Sequence, residues 1–218
     1  MPRAGPEKPP APRAYAAAMA KAGPRIPPLP SDEWDDRLRK VLELSPGGTE
    51  EPMHIFATLA RADRANPDLF RRWMGFGGAL LGGSLPARLR ELVILRTAYR
   101  FDGRYEWAQH LEMGEAQGVT RPEMAALGGG AERGLDAVAW TPLERAALGA
   151  VDDTADTGAV SDATWAALSE QLNDGEIIEL LMLIAHYLML TTVLRSLRVE
   201  LEPRAEAWAR SVPGGPVD

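Results

Sequence analysis

Apolar residues recur at three- and four-residue spacing along most of the chain, and no segment alternates convincingly with period two. From Ser31 onward the pattern predicts a succession of helices. Ser31-Asp32-Glu33-Trp34 places a hydroxyl before two acids, a helix start, and Trp34, Leu38, Val41 and Leu42 follow at helical spacing. Further helices are expected over about 53–62 and 67–81. Ser84-Leu85-Pro86, a cap with proline in the first turn, opens one to about 101. Asp102-Gly103 then breaks the chain direction, and a helix over about 104–117 stops at Gly118. Thr120-Arg121-Pro122-Glu123 starts a short helix, and Gly128-Gly129-Gly130 reads as a hinge or loop. Thr141-Pro142-Leu143-Glu144 is a capping-box start for a helix to about 153. Ser161-Asp162-Ala163-Thr164 opens one to about 172, and Asn173-Asp174 begins a long one to about 198. A short helix over 203–211 follows. The pattern predicts an all-α fold.

Residues 1–30 depart from it. They hold nine of the eighteen prolines, which leaves room for a brief helix at Ala14–Ala22 and otherwise an extended Pro/Ala-rich arm. Residues 31–218 read as a single helical domain. Glycines 75, 77, 78, 82 and 83 lack the GxGxxG spacing of a phosphate-binding loop and no strand precedes them, so close helix packing or a loose helix end accounts for them. The longest apolar run, 177–194, is interrupted by Glu179, His186 and two threonines, and reads as a buried core helix in place of a membrane span. Sliding 179–200 over 91–112 without gaps matches Glu179 to Glu91, Leu180 to Leu92, Leu183 to Leu95, Tyr187 to Tyr99 and Glu200 to Glu112, a faint sign of two degenerate related halves. Leu194 then falls opposite Glu106 and Arg198 opposite His110, so only the first half keeps the polar residues.

Composition narrows the chemistry. The chain of 218 residues, 45% hydrophobic, is long enough for a sizeable core. It has no cysteine, which excludes disulfides, thiolate catalysis, zinc–thiolate sites and iron–sulfur clusters. A net charge of -7 makes nucleic acid a poor partner. With no sustained apolar segment near the N-terminus, a soluble cytoplasmic protein that binds no membrane is expected.

The densest chemistry lies in Gly103–His110. Glu106 and His110 are four apart and share one helical face, with Glu91 twelve residues before Gly103. A carboxylate beside an imidazole moves protons near neutral pH. Glu91, Glu106 and His110 are therefore the candidate catalytic residues. His110 is expected to deliver or remove a proton, with Glu106 setting its tautomer and Glu91 relaying protons at the pocket wall. Arg96 offers a fork for a substrate carboxylate, and Tyr105 and Trp107 point to opposite sides of their helix as candidate pocket walls. His186 reads as a satisfied core histidine, and His54 as a remote candidate for the cluster. Two carboxylates and an imidazole also suit several divalent ions, so a metal-dependent oxidoreductase stands as an alternative.

Glu91-Leu92-Val93-Ile94-Leu95-Arg96, Tyr105-Glu106-Trp107-Ala108-Gln109-His110 and Gly118-Val119-Thr120-Arg121-Pro122-Glu123 together resemble the carboxymuconolactone decarboxylase family, which includes the AhpD-like alkylhydroperoxidases. The similarity is strongest over about 86–127. In the peroxidase branch a glutamate is followed after twelve residues by a cysteine, three later by a second, and four later by a histidine. Here Glu91 and His110 match the glutamate and histidine, while Gly103 and Glu106 stand at the cysteine positions. Dithiol peroxide reduction therefore does not carry over. The decarboxylase branch has a glutamate four before the histidine, as Glu106 is here. The resemblance implies an AhpD-like helical bundle forming homo-oligomers, a trimer for a two-halved chain. It also implies a small-molecule substrate. The expected function is cofactor-independent proton transfer (decarboxylation, isomerisation or elimination) on a small organic acid or lactone. The alternative within the family is a non-enzymatic ligand-binding or scaffold oligomer.

Overall fold

The computed structural model describes residues 23–43, 53–130 and 134–216, so the helix expected at 14–22 lies outside the described residues. Ten α-helices follow one another in them: α1 (Asp36–Glu43), α2 (His54–Leu59), α3 (Leu69–Leu81), α4 (Ala87–Arg100), α5 (Arg104–Ala116), α6 (Arg121–Leu127), α7 (Pro142–Thr157), α8 (Asp162–Ser169), α9 (Asp174–Leu197) and α10 (Pro203–Ser211). Short 3-10 turns occupy Ser31–Glu33, Ala60–Arg64 and Gly134–Ala137. The described residues contain no strand, and the fold is an all-helical bundle.

Local chemistry explains most helix starts. Thr120 with Glu123, Thr141 with Glu144 and Asn173 with Glu176 each form a capping box. The cap side chain accepts the N–H of the third helical residue, whose carboxylate accepts the N–H of the cap. Two expected starts are displaced. Ser31 begins a 3-10 turn, and Asp35 Oδ1 instead accepts the Leu38 N–H at 2.7 Å where α1 begins. At α4 the N-cap position falls to Pro86. The Ser84 N–H and hydroxyl go to Glu179 on α9, at 3.0 and 2.6 Å. A carboxylate from a distant helix outcompetes the local cap, which spacing along the chain does not reveal.

Helix α4 is the axis of the bundle. Nine of its fourteen residues are buried, so it has almost no solvent face. Leu89, Val93 and Ile94 pack into one core with Tyr105 of α5, Ala147 and Val151 of α7, and Leu180, Leu183, Ile184 and Tyr187 of α9. Leu92, Leu95 and Ala98 pack into a second core with Trp107, Leu111, Met124, Leu127 and Leu148. A smaller cluster of Leu29, Trp34, Leu42, Ala60 and Phe70 holds the N-terminal elements. Residues 23–30 are tied to the bundle, with the Arg25 N–H on the Leu197 carbonyl and the Leu29 N–H on the Ala57 carbonyl, both at 2.9 Å.

Helix α9 is long and apolar enough, by length and composition, to cross a membrane, and half of its most apolar stretch is buried inside the bundle. It packs on α3, α4, α5, α7 and α8. Ile178, Met182 and Met189 share its outer face and stay exposed. The ungapped pairing of 179–200 with 91–112 sets this one helix against α4, a turn and α5. Beyond residue 100 the pairing therefore does not follow the elements.

Arg88 ties three helices together. Its guanidinium binds Glu123 at 2.6 Å and Glu144 at 2.9 Å, the carboxylates of two capping boxes, and donates to the Gly118 carbonyl at 2.5 Å. Arg88→Ala should lower stability by about 2 kcal/mol, because charge-assisted bonds to two half-enclosed carboxylates are lost at once. Urea unfolding checks this, and a midpoint equal to that of the unaltered protein would contradict it.

Candidate active site

Helix α4 carries Glu91 into the seam between the two large cores. Asp102 adopts φ +58, the left-handed region, and reverses the chain so that α5 runs back along α4. Gly103 has an ordinary φ of -82, so the turn does not require its glycine. What requires it is space: a Cβ there would fall on Thr191 Oγ1 of α9, with the Ala98 Cα 3.3 Å away. One turn further on, Glu106 and His110 face the seam. Tyr105 goes to one core and Trp107 to the other, which leaves Glu106 between them.

The three polar side chains converge, with relative exposures of 6% for Glu91, 4% for Glu106 and 5% for His110. His110 Nδ1 donates to Glu91 Oε2 at 2.8 Å. His110 Nε2 lies 3.6 Å from Glu106 Oε2, and Glu106 Oε1 has no hydrogen-bond partner. Tyr187 of α9 meets the His110 ring edge-on at 5.1 Å.

These surroundings set the charges. Burial pushes the Glu106 carboxyl up to about 7, partly opposed by the charge of His110. Burial disfavours the His110 cation, but the Glu91 charge and hydrogen bond, with the Glu106 charge, outweigh it and hold His110 above the usual histidine range. The Tyr187 hydroxyl is held well above the usual phenol range by burial and then by both glutamates. Near neutral pH the site is thus a His110–Glu91 ion pair beside a carboxyl that titrates there. This reverses one expected pair of roles. Glu91, not Glu106, makes the hydrogen bond that holds the imidazole, and Glu106 is the carboxyl left with a free oxygen.

The other candidates fall elsewhere. Arg96 does not await a substrate carboxylate. Its Nε and Nη2 bind Asp152 at 2.8 and 2.9 Å, and its Nη1 donates to the Leu127 carbonyl at 2.8 Å. It became structural because α4 is buried on the side where Asp152 of α7 approaches. Tyr105 does not line a pocket at the cluster: its hydroxyl donates to Glu202 at 2.8 Å and accepts from the Ile55 N–H at 3.2 Å. Trp107 is packed in the opposite core. His54 binds the Glu200 carbonyl at 2.8 Å, outside the cluster. His186 is buried but not satisfied, because its Nδ1 has no partner. Tyr187 and Thr191 were not anticipated, and their one signal was polarity inside an apolar helix. A groove of about 400 Å³ lies among Leu29, Leu38, Val41, Ala60 and Phe70, and none of its lining residues belongs to the cluster. Among the described residues, no group of three or more His, Asp or Glu is arranged to hold a metal ion.

Residues 67–153 match the carboxymuconolactone decarboxylase family model. The fold is similar to that of the debrominase Bmp8 in complex with 2,3,4-tribromopyrrole, with a TM-score of 0.69 and 16% identity, over 87% of this chain and 98% of that one. It is also similar to an uncharacterized peroxidase-related protein with an alkylhydroperoxidase AhpD core from Ralstonia eutropha. There the TM-score is 0.70 at 18% identity, over 87% of this chain and 97% of that one. No curated protein sequence matches the chain.

The raised Glu106 fixes a pH dependence. The folded state holds its proton up to about 7, whereas an unfolded glutamate releases it near 4.5. The stabilisation from this bound proton is complete below the unfolded value and is lost as pH rises through the folded one. The unaltered protein should lose roughly 3 kcal/mol between those limits, and Glu106→Gln should flatten the slope. Urea midpoints from pH 4 to 8 check it, and parallel curves would show that Glu106 titrates normally.

Proposed function

We propose that this chain, whose residues 67–153 belong to the carboxymuconolactone decarboxylase family, is an acid–base enzyme that moves a proton to or from carbon in a small organic acid or lactone. One observation carries the reading. A buried carboxyl with a free oxygen and a pKa of about 7 sits against an imidazolium clamped by a second carboxylate. Such a group is ionised and protonated in comparable amounts at neutral pH, the condition for efficient general acid–base work. The absence of cysteine excludes thiol peroxidase chemistry.

In the forward direction Glu106 removes a proton from the carbon beside a carbonyl, and the electron pair moves onto the carbonyl oxygen as an enolate. The His110 charge stabilises the anion formed next to it. Returning the proton to another carbon gives isomerisation. Loss of a leaving group gives elimination. In decarboxylation the carbon–carbon bond to the carboxylate breaks, carbon dioxide departs, and the Glu106 proton goes to the carbon that held it. Glu91 touches no reacting atom in this scheme. It positions His110 and keeps it charged.

Proton exchange tests the mechanism without an identified product. In D₂O, unsaturated γ-lactones and 3-oxo acids should exchange α-hydrogen faster with the protein than without it. Glu106→Gln should cut that rate by about 100-fold or more, and His110→Ala comparably. Exchange that persists in Glu106→Gln would remove Glu106 from the chemistry. The 4–6% exposure of the three side chains favours a second reading, a non-catalytic ligand-binding oligomer in which the buried polar cluster is structural. Failure to exchange with any of these compounds would favour it.

We further infer that the chain works in the cytoplasm as a homo-oligomer, a trimer by family resemblance. Ile178, Met182 and Met189 on α9, with Leu81 of α3 also exposed, supply the apolar contact surface. Met182→Glu should reduce the assembly to monomers in sedimentation velocity. A chain already monomeric before substitution would refute the assembly.

A further inference from the structure

Five of the six buried side-chain polar atoms that lack a hydrogen-bond partner among the described residues belong to α3, α5 and α9. They are Trp73 Nε1, Glu106 Oε1, His186 Nδ1 and Thr191 Oγ1, with Trp107 Nε1 in the opposite core. An unpartnered buried polar atom costs about 1–3 kcal/mol, so such atoms are rare, and each calls for an explanation. Aromatic rings connect two of these residues, Trp73 and His186, to the cluster that holds Glu106. Phe76, 43% exposed, meets His186 edge-on at 5.3 Å. Trp73 stacks on His186 at 6.3 Å with 20° between planes. His186 meets Tyr187 at 5.5 Å, and Tyr187 meets His110 at 5.1 Å. The row runs from solvent to the buried acid. Gly77 keeps α3 bare beside it, since even a Cβ there would sit 3.4 Å from His186 Nε2.

We propose that Trp73 and His186 select the substrate of the Glu106 site, and that they take a planar, uncharged, conjugated ring with a hydrogen-bond donor beside an acceptor. The inference rests on the acid–base reading of Glu106 and narrows its substrate class from an organic acid or lactone to an uncharged flat ring that also carries a donor. The ring faces favour a flat partner over a puckered one. The Trp73 indole N–H is a donor only, and a neutral imidazole presents one donor and one acceptor, so a donor–acceptor edge satisfies both residues. Burial lowers His186 to about 4, so it is uncharged at neutral pH and gives a carboxylate no ion pair. The stacked indole holds the ring in the row, and Tyr187 lies edge-on between it and His110.

The chain has three histidines, so labelling histidine Cε1 with ¹³C yields three ring resonances. The probes are 2-pyridone and its saturated analogue 2-piperidone, which share an amide edge and differ in planarity. 2-Pyridone should shift the His186 resonance, assigned with His186→Gln, and 2-piperidone should bind at least about tenfold more weakly. Trp73→Leu should weaken 2-pyridone at least about tenfold, with retained dispersion of the His110 resonance reporting an intact fold. Glu106→Gln should leave the affinity within about threefold. No shift of His186 at about 10 mM 2-pyridone, equal binding of the two probes, or an unaffected folded Trp73→Leu would each overturn the proposal. The two readings fail separately: binding without proton exchange sinks only the acid, and exchange without a His186 response sinks only the ring site.

Discussion

A helix buried on nearly every side cannot carry charges unless its neighbours answer them. Two of the charges on helix α4, Glu91 and Arg96, are buried, and the fold is arranged around their answers. Arg96 is met by Asp152 of α7 and by the carbonyl that ends α6. Glu91 is met by His110 of α5. The first answer engages all three guanidinium nitrogens. The second leaves the far nitrogen of the imidazole pointing at a carboxyl that has no full partner. Stability and reactivity thus diverge along a single helix, depending on whether the neighbour's hydrogen bonds close or leave one position open.

Much of the fold was legible in the sequence because helix periodicity and capping chemistry are local. The Thr141–Glu144 box and the glycine stop at 118 appear where spacing placed them. The displaced starts at Ser31 and Ser84 have a common cause: a carboxylate took over the role, from Asp35 in one case and from Glu179, 95 residues away, in the other. The cluster of Glu91, Glu106 and His110 was legible too, since one pair shares a helical turn and the third residue lies across a tight reversal. Which carboxylate holds the histidine was not. That depends on the roll of α5 against α4, decided by Tyr105 and Trp107 entering opposite cores. Arg96 misled because sequence cannot show whether a guanidinium faces a cavity or an aspartate 56 residues on.

The comparison with solved folds frames this chemistry. Solved structures at 16–18% identity share the bundle over nearly all of their length. The fold therefore accommodates wide sequence change. In the resemblance drawn from sequence, residue 106 stands where a thiol would be, and a carboxyl takes its place against the same imidazole. A carboxylate moves protons and does not undergo the two-electron redox cycle of a thiol pair, so dithiol chemistry is closed to this chain although the bundle is kept.

The contact of Thr191 with Gly103 decides what position 103 can hold. With threonine seated on the bare Cα and the Ala98 backbone closing the other side, a cysteine at 103 clashes unless Thr191 gives way. Shrinking position 191 alone opens a void in a packed interior. A thiol pair at 103 and 106 therefore calls for three coordinated replacements, and steric fit keeps the site free of it.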